Sequence, residues 1–70
     1  MKVKITTKGD RLGDGDAVRV LLKLGALRPI VSHGLDRVRR IYAEVHFDDL
    51  PTVASLEWVA DVAPHEEVEQ

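Results

Sequence analysis

Cysteine is absent from the 70 residues, so the chain has neither a disulfide framework nor thiolate chemistry. The redox compartment stays open, because a cysteine-free domain tolerates cytosol and exterior alike. Aromatic residues are scarce, with one Trp, one Tyr and one Phe, which argues against a base-stacking platform for single-stranded nucleic acid. Charge of one sign is also lacking. A formal net charge of -2 supplies no field to concentrate a polyanion, and the local run Arg37, Arg39, Arg40 reads as a solvated strand edge. Nor is there a long apolar run: Met1 to Thr7 alternates charged and apolar residues, unlike a signal-peptide core or a membrane span.

What is present is a globular composition, 44% hydrophobic and 31% charged, which does not suggest disorder. A chain this short holds one core, burying roughly 60% of the surface it would expose unfolded. Along it, Lys2-Val3-Lys4-Ile5-Thr6 alternates with period two and predicts a first strand. Lys8 to Gly15, with three glycines among Asp10, Asp14 and Asp16, predicts a loop. Asp16 is then placed to cap a helix whose buried stripe is Ala17, Val20, Leu21 and Leu24, with Gly25 offering a left-handed stop. Val18 and Leu22 widen that stripe beyond what a short helix needs to bury; the stripe still reads as core before dimer seam, with homodimerisation the minor option and a monomer expected when the chain is free.

Ala26 to Val31 predicts a second strand, at a sheet edge because Pro29 lacks the amide proton of a central strand. Ser32 to Asp36 supplies a turn, after which Arg39, Ile41, Ala43, Val45 and Phe47 alternate against Arg40, Tyr42, Glu44 and His46 in a third strand. Asp48 or Asp49 is expected to cap a short second helix, with Pro51 in its first turn, Leu50, Val53, Ala54 and Leu56 on its buried side and Phe47 pinning its entry. Trp58 to Pro64 predicts a fourth strand, followed by a polar tail, His65 to Gln70.

The order β-α-β-β-α-β is that of an α+β, ferredoxin-like domain: a four-stranded antiparallel sheet with two helices on one face, spanning residues 1 to 65, and an extended tail over 66 to 70. The other sheet face is left bare. It carries Lys2, Lys4, Thr6, Arg40, Tyr42, Glu44, His46 and Asp61, a mixed and amphipathic set that can stay in water or meet a partner.

Catalytic constellations are weak. His33, His46 and His65 share no metal-type spacing, and Ser32 beside His33 lacks both a strand-to-helix elbow and a positioned Asp. Gly9, Gly13 and Gly15 precede a helix, but no Gly-Lys-Ser or Gly-Lys-Thr follows and Asp10, Asp14 and Asp16 would repel a phosphate. The expectation is a binding domain without catalytic residues, metal or cofactor.

Ile41-Tyr42-Ala43-Glu44-Val45, then Asp49-Leu50-Pro51-Thr52-Val53-Ala54-Ser55-Leu56, then Val59-Ala60-Asp61-Val62-Ala63-Pro64-His65 resembles the end of subtilisin-type propeptides. The first half resembles that family in element order and length only. The resemblance implies an inhibitor or folding chaperone of a subtilisin-like serine protease, in cis or in trans, secreted with its protease if a propeptide. It implies that the bare sheet face, here Lys4, Arg40, Tyr42, Glu44, His46 and Asp61, packs on the protease. The tail His65, Glu66, Glu67, Val68, Glu69 and Gln70 would then enter the active-site cleft like a cleaved product, adding main-chain hydrogen bonds. Gln70 would precede the scissile bond and Glu67 would fill the pocket three residues earlier. Burying an unpaired carboxylate is costly, so either the cognate protease has a basic pocket there or the domain keeps the fold without strong inhibition. The competing expectation is a ferredoxin-like interaction or regulatory module that binds through its sheet face without inhibiting a protease; an enzyme or small-ligand sensor comes third.

Overall fold

In the computed structural model, residues 1–9 and 12–65 are described. Strand β1 (Lys2–Thr7) leads through a glycine-containing loop to helix α1 (Asp14–Lys23), and β2 (Leu27–His33) and β3 (Arg39–Glu44) form a hairpin. A 3-10 turn (Phe47–Asp49) then runs into the short helix α2 (Leu50–Ala54) before β4 (Val59–Pro64). The strands lie in the order β2-β3-β1-β4, every neighbouring pair antiparallel. This is the ferredoxin-like α+β arrangement that the element order predicts, with β3 threaded between the two strands joined by α1.

The two faces differ as the alternation requires. Val3 and Ile5 of β1 and Ile41 and Ala43 of β3 turn toward the helices and are buried with Ala17 and Leu21 of α1, Val53 of α2 and Val59. Each fully buried aliphatic side chain contributes roughly 1.5–3 kcal/mol of transfer free energy. Helix α1 ends as its sequence suggests. Gly25 takes φ 90°, its N–H donates to Leu22 O, and Ala26 N–H donates to Leu21 O, the paired bonds of a Schellman stop.

Its beginning differs from expectation. The helix starts at Asp14, with Gly13 as N-cap, and among the described residues no side chain caps it. Asp16 does not cap because it already lies inside the first turn, where Asp14 is bonded by groups from the sheet: Arg39 Nη1 at 3.0 Å and His33 Nε2 at 2.7 Å. Arg39 is correspondingly no part of a solvated edge. It shares the inward parity of Ile41 and is only 4% exposed, its Nε donating to Thr7 Oγ1 at 3.2 Å and its Nη1 donating also to Leu12 O.

The β2–β3 turn comes later than expected. Ser32 and His33 stay in the strand, and the reversal runs over Gly34 to Val38, closed by Arg37 N–H to Gly34 O and Gly34 N–H to Val38 O. Asp36 Oδ1 accepts from Val38 N–H, and Arg37 takes the left-handed φ of 63°. A Cβ on Gly34 would lie 2.5 Å from Asp36 Oδ1 and 2.9 Å from Arg40 Nη1, so a side chain there would have to displace the Asp36–Arg40 pair.

The second helix is entered differently too. Neither Asp48 nor Asp49 caps with its side chain; His46 does, Nδ1 accepting from Asp48 N–H at 3.1 Å. Phe47 is turned out and 73% exposed, and Ala54 is exposed, leaving Val53 as the buried residue of α2.

Both strand prolines lie at sheet edges, where a missing amide need not break the ladder. Pro29 lies where the β2 register shifts between Leu27 and Ile30, beside Arg28 at φ 53°. His65 N–H bonds Lys2 O, so by alternation Ala63 and Asp61 also bond toward β1 while Pro64 faces outward, where its missing amide leaves no donor.

Candidate functional site

The register of the four strands lays out the bare face as rows. Glu44 of β3 pairs with Lys2 of β1, Tyr42 with Lys4 and Arg40 with Thr6. On one side β2 adds Leu27, Ile30 and Ser32 to these rows, and on the other β4 adds Ala63 beside Lys4 and Asp61 beside Thr6. Of the residues expected here, Lys4, Arg40, Tyr42, Glu44 and Asp61 are brought together on this face. His46 lies beyond the last residue of β3, its ring engaged in the cap described above.

The polar side chains are tied down unevenly. Arg40 is held by Asp36, Nη2 to Oδ2 at 2.7 Å and Nη1 to Oδ1 at 3.3 Å. The hydrogen bond and charge of Asp36 raise the Arg40 pKa, while Arg40, followed by the Val38 amide, holds the Asp36 carboxyl below its ordinary value. At the other end, the Tyr42 and His65 rings lie tilted 55° with centroids 4.7 Å apart. Tyr42 thereby crosses over β1, and His65, which the sequence places in the tail, is joined to the sheet by both its ring and its backbone. Glu66 to Gln70 lie outside the described residues.

Between these groups is an open depression of about 310 Å³, lined by Lys2, Arg28, Ile30, Tyr42, Glu44 and His65. Apolar Ile30 beside an aromatic pair and ringed by charges is the composition of an interface: a desolvatable middle with a polar rim. Leu27, Ile30, Ala63 and His65 were not singled out by alternation, since β2 is irregular at Pro29 and the reach of β4 depends on pairing with β1.

A second cluster joins three elements on the helix side. His33, Asp14 and Arg39 form a chain of contacts at the start of α1. His33 first and Arg39 second, through hydrogen bonds, hold the Asp14 carboxyl below its ordinary value. Arg39 Nη2 is buried without a hydrogen-bond partner. The signal for this cluster was the inward parity of Arg39 with Ile41 and Ala43. Among the described residues, no group of three or more His, Asp or Glu side chains is gathered closely enough to hold a metal ion, and no helix is long and apolar enough to cross a membrane.

Set against models of known protein families, curated proteins and solved structures, the chain matches none.

Proposed function

We propose that this is a protein-binding domain that docks through its bare sheet face, and that its partner is a subtilisin-like serine protease which it inhibits, helps to fold, or both. What supports the reading is the face that the described residues leave uncovered: helices bury one side of the sheet, while the other presents Tyr42, Ile30 and His65 within a charged surround. The chain leaves the sheet at the end of β4, an edge strand whose last residues border that face. On this reading the segment after His65 is the one that would lie in the partner's cleft, adding main-chain hydrogen bonds there. The motif resemblance in the second half of the sequence names the partner class.

The test is a titration of the full chain against a panel of subtilisin-like proteases, alongside a chain ending at His65, which keeps the face intact, and the variants Tyr42→Ala and Arg40→Ala. Inhibition by the full chain, weakened by truncation and by the face variants, is the expected result. Binding that the face variants abolish but truncation leaves unchanged, without inhibition, identifies an interaction module instead. No binding to any protease removes the proposed partner.

A further inference from the structure

We propose that the β2 edge is a self-association surface, through which two copies of this chain pair antiparallel about a two-fold axis to form one continuous eight-stranded sheet. The inference rests on the β2 edge and the adjoining α1 flank and needs no partner of a particular kind on the bare face, although Ile30 and Ser32 border both surfaces.

Two observations on different elements meet at this edge. The first is backbone. Gly34 N–H donates to Val38 O, so by alternation Ser32 and Ile30 also bond toward β3, while Val31 and His33 point their N–H and C=O groups away from the sheet. Each edge strand holds one proline, Pro29 in β2 and Pro64 in β4, so what singles out the β2 edge is the surface beside it. The second is apolar surface. Of the large hydrophobic residues that are exposed among those described, Leu22, Leu27, Ile30 and Leu35 belong to β2, its turn and the flank of α1.

The placement of Leu22 follows from helix geometry. Asp14, Val18 and Leu22 are spaced i, i+4, i+8 and so form one stripe along α1. Asp14 reaches His33 on the edge strand, which fixes that stripe on the side of α1 facing the β2 edge. Ala17 and Leu21 are already buried beneath the helix, while among the described residues Leu22 stays 52% exposed. This is the surplus width that the helical pattern showed at Val18 and Leu22.

The occupant that fits both features is a second copy. A lone extended peptide would satisfy the strand edge but leave the α1 flank bare; an identical domain brings its own helix beside the same edge, so stripe meets stripe as strand meets strand. Pairing centred on Ser32 sets Val31 of each copy opposite His33 of the other, two reciprocal pairs giving about four main-chain bonds. Pro29 falls outside that window, and Arg28 of one copy is carried toward Asp36 of the other.

The test uses the full chain and its lack of cysteine. Sedimentation equilibrium across a concentration series is expected to show a species of twice the 7.8 kDa monomer mass. Ser32 is exposed on the bare face, so Ser32→Lys places like charges across the axis without touching the core, and the dissociation constant should rise about tenfold or more, most at low salt. Leu22→Glu should act in the same direction. Ser32→Cys should form an interchain disulfide under mild oxidation, and Asp61→Cys, on the opposite edge strand, should not. A chain monomeric at all concentrations overturns the proposal, as does a dimer indifferent to Ser32→Lys or equal cross-linking at Asp61.

Discussion

Arg39 offers a test in which keeping the charge should be worse than removing it. The guanidinium is 4% exposed and makes three bonds, to Thr7 Oγ1, Leu12 O and Asp14 Oδ1, while Nη2 makes none. Arg39→Lys keeps the cation but not the fork, so one ammonium cannot serve Thr7 and the α1 start together. A buried charge with fewer bonds should cost about 2–4 kcal/mol. Arg39→Met keeps most of the stem packing, gives up the three bonds and also removes both the desolvated charge and an unsatisfied donor that itself costs about 1–3 kcal/mol. A net loss of about 1 kcal/mol is expected. A domain of this size has about 4–10 kcal/mol in all, so equilibrium urea unfolding separates the two variants. If Lys is tolerated within about 0.5 kcal/mol, or if Met proves the worse of the two, the guanidinium is not held as argued.

Arg37→Gly relieves a left-handed residue in the β2–β3 turn; a strain of about 1–2 kcal/mol less the roughly 0.5–1 kcal/mol entropic cost of glycine should leave a small rise in unfolding midpoint. Asp14 has its pKa lowered by His33 and Arg39, so the unfolded state binds its proton first as pH falls. Its contribution is therefore complete above 3.8, the unfolded value, and is lost as pH drops below that through the folded one. Urea midpoints measured down this acid range should fall less steeply in Asp14→Asn. Leu21→Ala opens a cavity at a fully buried site and should cost about 2–5 kcal/mol, whereas Phe47→Ser at an exposed site should stay within about 0.5 kcal/mol, both read from thermal melts followed by circular dichroism.

Much of the sheet is readable from period alone. Val3 and Ile5, or Ile41 and Ala43, can be buried on one face only if Lys4 and Tyr42 occupy the other, so alternation yields strand, core and bare face together. Pro29 places β2 at an edge for lack of a donor. Capping was less legible because several short polar residues stand near each helix start, and each competes for amides that only one conformation exposes. Asp14 was taken up by the sheet, and His46, unremarkable as a cap in sequence, supplied the acceptor that Asp48 and Asp49 did not.

Period-two and helical spacing, glycine stops and prolines are local, and they determine which residues turn inward because a side chain's direction is set by its own backbone. Which inward-turning residue ends up beneath hydrocarbon and which beneath a polar helix start depends on what packs above it. That is why Arg39, in step with Ile41, became a buried anchor for α1, and why His65, at the end of β4 and separated in the sheet from β3 by β1, came to lie against the Tyr42 ring. The Tyr42–His65 contact exists only once β1 has joined β3 to β4.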